Sequence, residues 1–187
     1  MEMTVFWGFV LGLPLFAFGA AACLAPGFAR RGTAAFFASR PAAIVLTAGA
    51  SFWTGYECDT MGIDVFDAFL KRFPGEIWIL AVVLAWLVCI WMPKNLPVRA
   101  LMGILMLIPA ELFKTTRLLL PSGGVAAVHL FVATAYIGAI AGMYGMFYPW
   151  RIEKGLMLLL GADGRARVFG GMLALWGAAL CALGCVL

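Results

Sequence analysis

Hydrophobic and polar positions in this chain do not alternate as in a half-buried strand or a surface helix. They form long apolar runs separated by short polar joints. Six runs, at 4–24, 41–56, 77–92, 96–113, 125–148 and 168–187, approach or reach the roughly 20 residues that an α-helix needs to cross a bilayer. Two joints have a different pattern. Over 60–73, Ile63, Phe66, Phe69 and Leu70 recur at helical spacing, and over 151–160 Ile152, Leu156, Leu159 and Leu160 do the same. Both are expected to be short helices lying in the membrane interface. The joint PGFARRGTAAFFASR, which carries Arg30, Arg31 and Arg40, reads as a loop. The predicted fold is all-α: one integral membrane domain over 1–187, a polytopic bundle of six transmembrane helices with short interfacial helices.

The segment VRALMGILMLIPAELFKTTR, from Val98 to Arg117, decides the topology because it carries charge at both ends and Pro109 within. If it spans, the loops alternate, and Arg30, Arg31, Arg40, Lys94, Arg99, Arg151, Lys154, Arg165 and Arg167 share one side. That is nine of the 13 basic residues, leaving Lys71, Arg72, Lys114 and Arg117 opposite. If it dips and returns, giving five spans plus one re-entrant segment, the division becomes seven against six. The excess of Lys and Arg on cytoplasmic loops favours six spans, with both termini outside. Seven of the nine acidic residues then also lie outside.

Composition agrees with the pattern. Of 187 residues 65% are hydrophobic and 12% charged, with a mean hydropathy of +1.03, outside the range of soluble domains. The net charge of +4 reflects the basic side of a membrane protein and gives no reason to expect nucleic acid as a partner. The start, MEMTVFWGFV, has no Lys or Arg before its apolar run, so the first run is expected to stay as a helix.

Candidate chemistry is sparse. Glu111, Lys114, Arg117, His129 and Tyr136 fall near the outer ends of the fourth and fifth runs, and ionisable groups in membrane segments commonly mark transport or binding sites. The plainer reading is that Glu111 pairs with Lys114 or Thr115 and that His129 hydrogen-bonds a neighbouring helix. Glu57, Asp59, Asp64 and Asp67 form an outer acidic cluster, read as a solvated face because no calcium-loop motif accompanies it. Cys58 and Cys185 share the outer side, where a disulfide is chemically allowed. Gly8 with Gly12, and Gly138 with Gly142, make small-residue strips for close helix packing. No motif indicates a catalytic site, a cofactor or a metal, so an enzyme is not expected.

The run from Met92 through Val98, Arg99, Ala100 and Pro109, continuing over Tyr136, Tyr148, Pro149 and Arg151 to the Gly/Ala-rich last helix, resembles an uncharacterised group of small bacterial multi-pass inner-membrane proteins. The resemblance implies an inner-membrane location and no particular reaction. Two functions are therefore expected to compete. One is a non-catalytic subunit or accessory component of a larger complex, with the lipid bilayer and other membrane subunits, or copies of itself, as partners. The other is a small ion or solute transporter built around Glu111 and His129.

Overall fold

A computed structural model describes residues 2–60, 76–91, 94–119 and 125–186. Among them every regular element is an α-helix: α1 Glu2–Leu24, α2 Pro26–Ala38, α3 Arg40–Thr60, α4 Glu76–Trp91, α5 Leu96–Leu119, α6 Val125–Phe147, α7 Pro149–Leu160 and α8 Asp163–Val186. The interfacial helix expected over 60–73 lies almost wholly outside the described residues. The chain is a membrane-embedded helical bundle. Val5–Leu24, Leu96–Phe113, Val128–Phe147 and Asp163–Cys185 are each long and apolar enough to cross a membrane, and α2 with α3, bent by 71° at Ser39, makes a fifth candidate span. α4 is apolar but shorter; its 16 residues rise about 24 Å against a hydrocarbon core of about 30 Å.

α5 settles the conformation of the segment on which the charge count turns. It runs unbroken for 24 residues through Pro109, so it has no break at which the chain could turn back. Its start is set by local chemistry. Asn95 adopts a positive φ of 57°, which Asn tolerates better than most residues, and its carbonyl accepts the Arg99 N–H to open the first turn. Pro97 then sits in that turn, where a missing N–H costs nothing.

The joint read as a loop is helical instead. Pro26 starts α2 within its first two residues, and the Ala- and Phe-rich run that follows carries it to Ala38. Its inner face, Pro26, Ala29 and Thr33, is buried while Arg30 and Arg31 stay exposed. Ser39 then breaks the helix in an extended conformation, and its Oγ accepts the Ala42 N–H at 3.3 Å, capping α3. A short polar run with two arginines resembles a loop by composition, but its buried positions recur at helical spacing.

Two seams of small residues hold the bundle together. The most extensive pairing is the antiparallel one between the first and last helices. Gly8 meets the backbone at Leu180 and Gly184, Gly12 meets Gly177 and Cys181, and Gly19 meets Gly170 and Ala174. The second seam joins α5 to α6, where Gly142 packs on Met102 and Met106, Gly138 approaches the Leu105 carbonyl and Gly145 faces Met102. Without water between helices to drive association, this close approach supplies the dispersion contacts that do. α3 joins the bundle against α5, and α4 packs chiefly on α3.

The two ends of the bundle differ. At one end Trp7, Leu112, Phe131, Ala135 and Leu180 form the main core, with Trp53 and Trp176 packed against it. The Trp176 indole N–H donates to the Thr134 hydroxyl at 3.1 Å, and that hydroxyl donates to the Leu130 carbonyl at 2.8 Å. At the other end Ala22, Ala29, Leu160 and Ala166 bring the end of α1, both short helices and the start of α8 together. The nine basic residues grouped by the charge count belong to this second end, on α2, the starts of α3, α5 and α8, the Lys94–Asn95 turn and α7.

Candidate functional site

The polar residues that converge are on α3. Thr47, Ser51 and Glu57 are buried and Thr54 is half-buried. At 100° per residue these four occupy about 120° of the helix circumference. Thr47 and Thr54 donate to the carbonyls of Ala43 and Ala50, each at 2.8 Å, which satisfies their hydroxyls within the helix. The stripe ends at Glu57, only 2% exposed. Its Oε1 accepts the Trp53 indole N–H at 3.0 Å, and Trp53 stacks on Trp7 with ring centroids 6.2 Å apart. Trp7 in turn meets the edge of Phe6 at 5.5 Å and is 7% exposed.

Sequence reading placed Glu57 with a solvated acidic face; the structure buries it. The reason is that α3 extends to Thr60, so Glu57 lies on the helix one turn beyond Trp53 and points inward with it. A tryptophan four residues before a carboxylate is the signal that was available. Of the other cluster members, Asp64 and Asp67 lie outside the described residues, as does the Asp59 side chain.

Of the residues expected around Glu111, the described ones differ in exposure. Glu111 is half-buried, beside the fully buried Leu112. His129 is exposed, and Tyr136, 58% exposed, packs its ring edge-on against Phe113 at 5.3 Å on the outer surface of the bundle. The Lys114 and Arg117 side chains are outside the described residues. Cys58 and Cys185 are free thiols, as are the other three cysteines. No group of three or more His, Cys, Asp or Glu that could hold a metal occurs among the described residues.

The basic end has an ordered surface of its own. The Arg99 Nη1 donates to the Met146 carbonyl at 3.1 Å, capping the last turn of α6. Arg151 lies over the Tyr148 ring at 5.3 Å and donates to the Tyr144 hydroxyl at 3.4 Å, while Trp150 meets Tyr148 edge-on at 5.6 Å. That hydrogen bond, first among the causes, raises the Arg151 pKa above its already high ordinary value, and the guanidinium stays charged at any physiological pH. Tyr, Trp and Arg gathered where a span ends are the groups that favour the headgroup layer.

No family model, curated protein or solved structure matches this chain.

Proposed function

We propose that this chain is a six-span protein of the bacterial inner membrane, with its basic end in the cytoplasm and both termini outside, serving as a non-catalytic subunit or accessory component of a larger membrane assembly. The observation that carries the reading is the pair of glycine seams. Transporters that alternate access move one helix group against another around a midplane site. Here α1 is locked on α8, and α5 on α6, by backbone contacts too close to admit a side chain. The orientation follows from the nine basic residues gathered at one end. α4, attached chiefly through α3, turns Ile79, Val82, Trp86 and Ile90 outward, a face open to lipid or to a neighbouring subunit.

The test is native mass spectrometry of the protein extracted from its own membranes in a mild detergent. A second membrane polypeptide in fixed stoichiometry, lost on Trp86→Ala, is expected. A chain that runs alone or only with itself counts against the subunit reading.

Glu57 favours a second reading, a small ion or solute transporter. Buried carboxylates in membrane segments frequently serve proton or cation movement. In that case Glu57→Gln, which keeps an oxygen acceptor for Trp53, abolishes flux in liposomes and leaves the fold intact. The subunit reading expects that same variant to assemble normally.

A further inference from the structure

At the basic end, the bend between α2 and α3 meets the start of α5 around a cavity of about 250 Å³, room for a small headgroup more than for a drug-sized molecule. Its walls divide by chemistry. Phe37, Ile44 and Leu96 supply apolar surface, and Ser39, Arg40 and Asn95 supply polar groups. Arg40 is exposed, and Ser39 and Asn95 are half-buried, so the polar wall is open to a ligand.

All three polar residues can donate. The Ser39 Oγ accepts the Ala42 N–H at 3.3 Å, which leaves its own O–H proton free. The Arg40 guanidinium and the Asn95 side-chain amide have no hydrogen-bond partner among the described residues, and no described carboxylate lines the cavity. The guanidinium is the decisive group, because it is always charged and its fork of N–H donors fits the oxygens of a phosphate. Two long helices also begin at this wall. α3 starts at Arg40 and α5 at Leu96, neither has an acidic residue in its first turn, and aligned peptide dipoles leave both starts partially positive. The charge on this wall is therefore positive throughout.

We propose that this cavity binds the phosphate group of an amphipathic phosphate ester, with Arg40, Asn95 and Ser39 donating to its oxygens and the organic part of the ester lying against Phe37, Ile44 and Leu96. Donors from three residues suit a phosphate better than a carboxylate, which has only two oxygens to offer. The ester is either the headgroup of an anionic lipid or a free phosphate ester; both present the same group to Arg40. The inference holds whether the bundle is a subunit or a transporter.

The experiment offers the detergent-purified chain two matched pairs of probes, phosphatidic acid against diacylglycerol and glycerol 3-phosphate against glycerol, and counts adducts by native mass spectrometry. One phosphate-bearing adduct per chain is expected, retained at least tenfold over its phosphate-free counterpart. Retention of phosphatidic acid alone assigns the site to a lipid headgroup; retention of glycerol 3-phosphate, with or without it, assigns the site to a free ester. Arg40→Gln should weaken retention at least tenfold. Asn95→Gly accepts the positive φ while removing the amide, should weaken retention severalfold, and carries the test if Arg40→Gln does not fold. Arg31 is exposed and does not line the cavity, and Arg31→Gln should change nothing. The proposal is overturned if neither phosphate probe exceeds its counterpart, if a folded Arg40→Gln or Asn95→Gly variant retains the adduct undiminished, or if Arg31→Gln lowers retention as much as Arg40→Gln.

Discussion

Replacing Gly12 with leucine should destabilise the bundle by at least about 3 kcal/mol, the upper part of the usual range for overpacking, and is expected to prevent recovery of a monodisperse protein. A Cβ at Gly12 would lie 2.6 Å from the Gly177 carbonyl oxygen and 2.5 Å from the Cys181 sulfur. The sulfur sits on a side chain that could turn; the carbonyl belongs to the backbone of α8 and cannot yield unless the helices separate. Separation is especially damaging here, because the first and last helices make the most extensive pairing in the fold and join the ends of the chain. Gly171→Leu is the control. It lies on the same α8, but a Cβ there meets nothing within 4 Å, and the variant should melt within a few degrees of the parent. Thermal unfolding in detergent, followed by tryptophan fluorescence or circular dichroism, measures both.

Trp7→Ala is the second large effect. Trp7 belongs to the main core with Leu112, Phe131, Ala135 and Leu180, and its ring lies against Trp53, which holds Glu57. Deleting a buried tryptophan costs about 3–5 kcal/mol in water-soluble proteins. The lower end, near 3 kcal/mol, is expected here, because lipid does not penalise exposed apolar surface as water does and only the packing contribution is lost. Trp7→Phe should cost far less. The Trp7 indole N–H is buried without a hydrogen-bond partner, so phenylalanine gives up no bond and keeps most of the ring. A chemical denaturation series in mixed micelles separates the two variants.

The sequence made some of this structure legible and concealed the rest for identifiable reasons. Long apolar runs announce membrane helices because the bilayer demands length and backbone satisfaction together. The strips at Gly8 and Gly12 and at Gly138 and Gly142 are visible as spacing, but spacing cannot name a partner. That Gly12 faces Gly177, whereas Gly142 faces Met102 and Met106, is a tertiary fact. α2 was hidden by its arginines, whose polarity weighs on a window average although only one face of the helix is polar. Glu57 was hidden by its neighbours in sequence. Beside Asp59 it reads as part of an acidic surface, and its burial depends on α3 continuing past Tyr56. His129 and Tyr136 show the converse: rare polar residues in an apolar helix attract attention, yet both occupy the outward face of α6.

The proposed function assumes six alternating helices with the basic end inside, and of these α3 is the least apolar and α4 the shortest. Its most direct test is labelling of single-cysteine variants in intact cells with a membrane-impermeant maleimide. Cys185, exposed near the end of α8, and Asp67→Cys, between α3 and α4 in the chain, should both react from outside. Lys94→Cys and Ala162→Cys, exposed at the basic end, should react only after the cells are opened. If Asp67→Cys behaves like Lys94→Cys, α3 and α4 do not cross the membrane, and the six-span account is wrong.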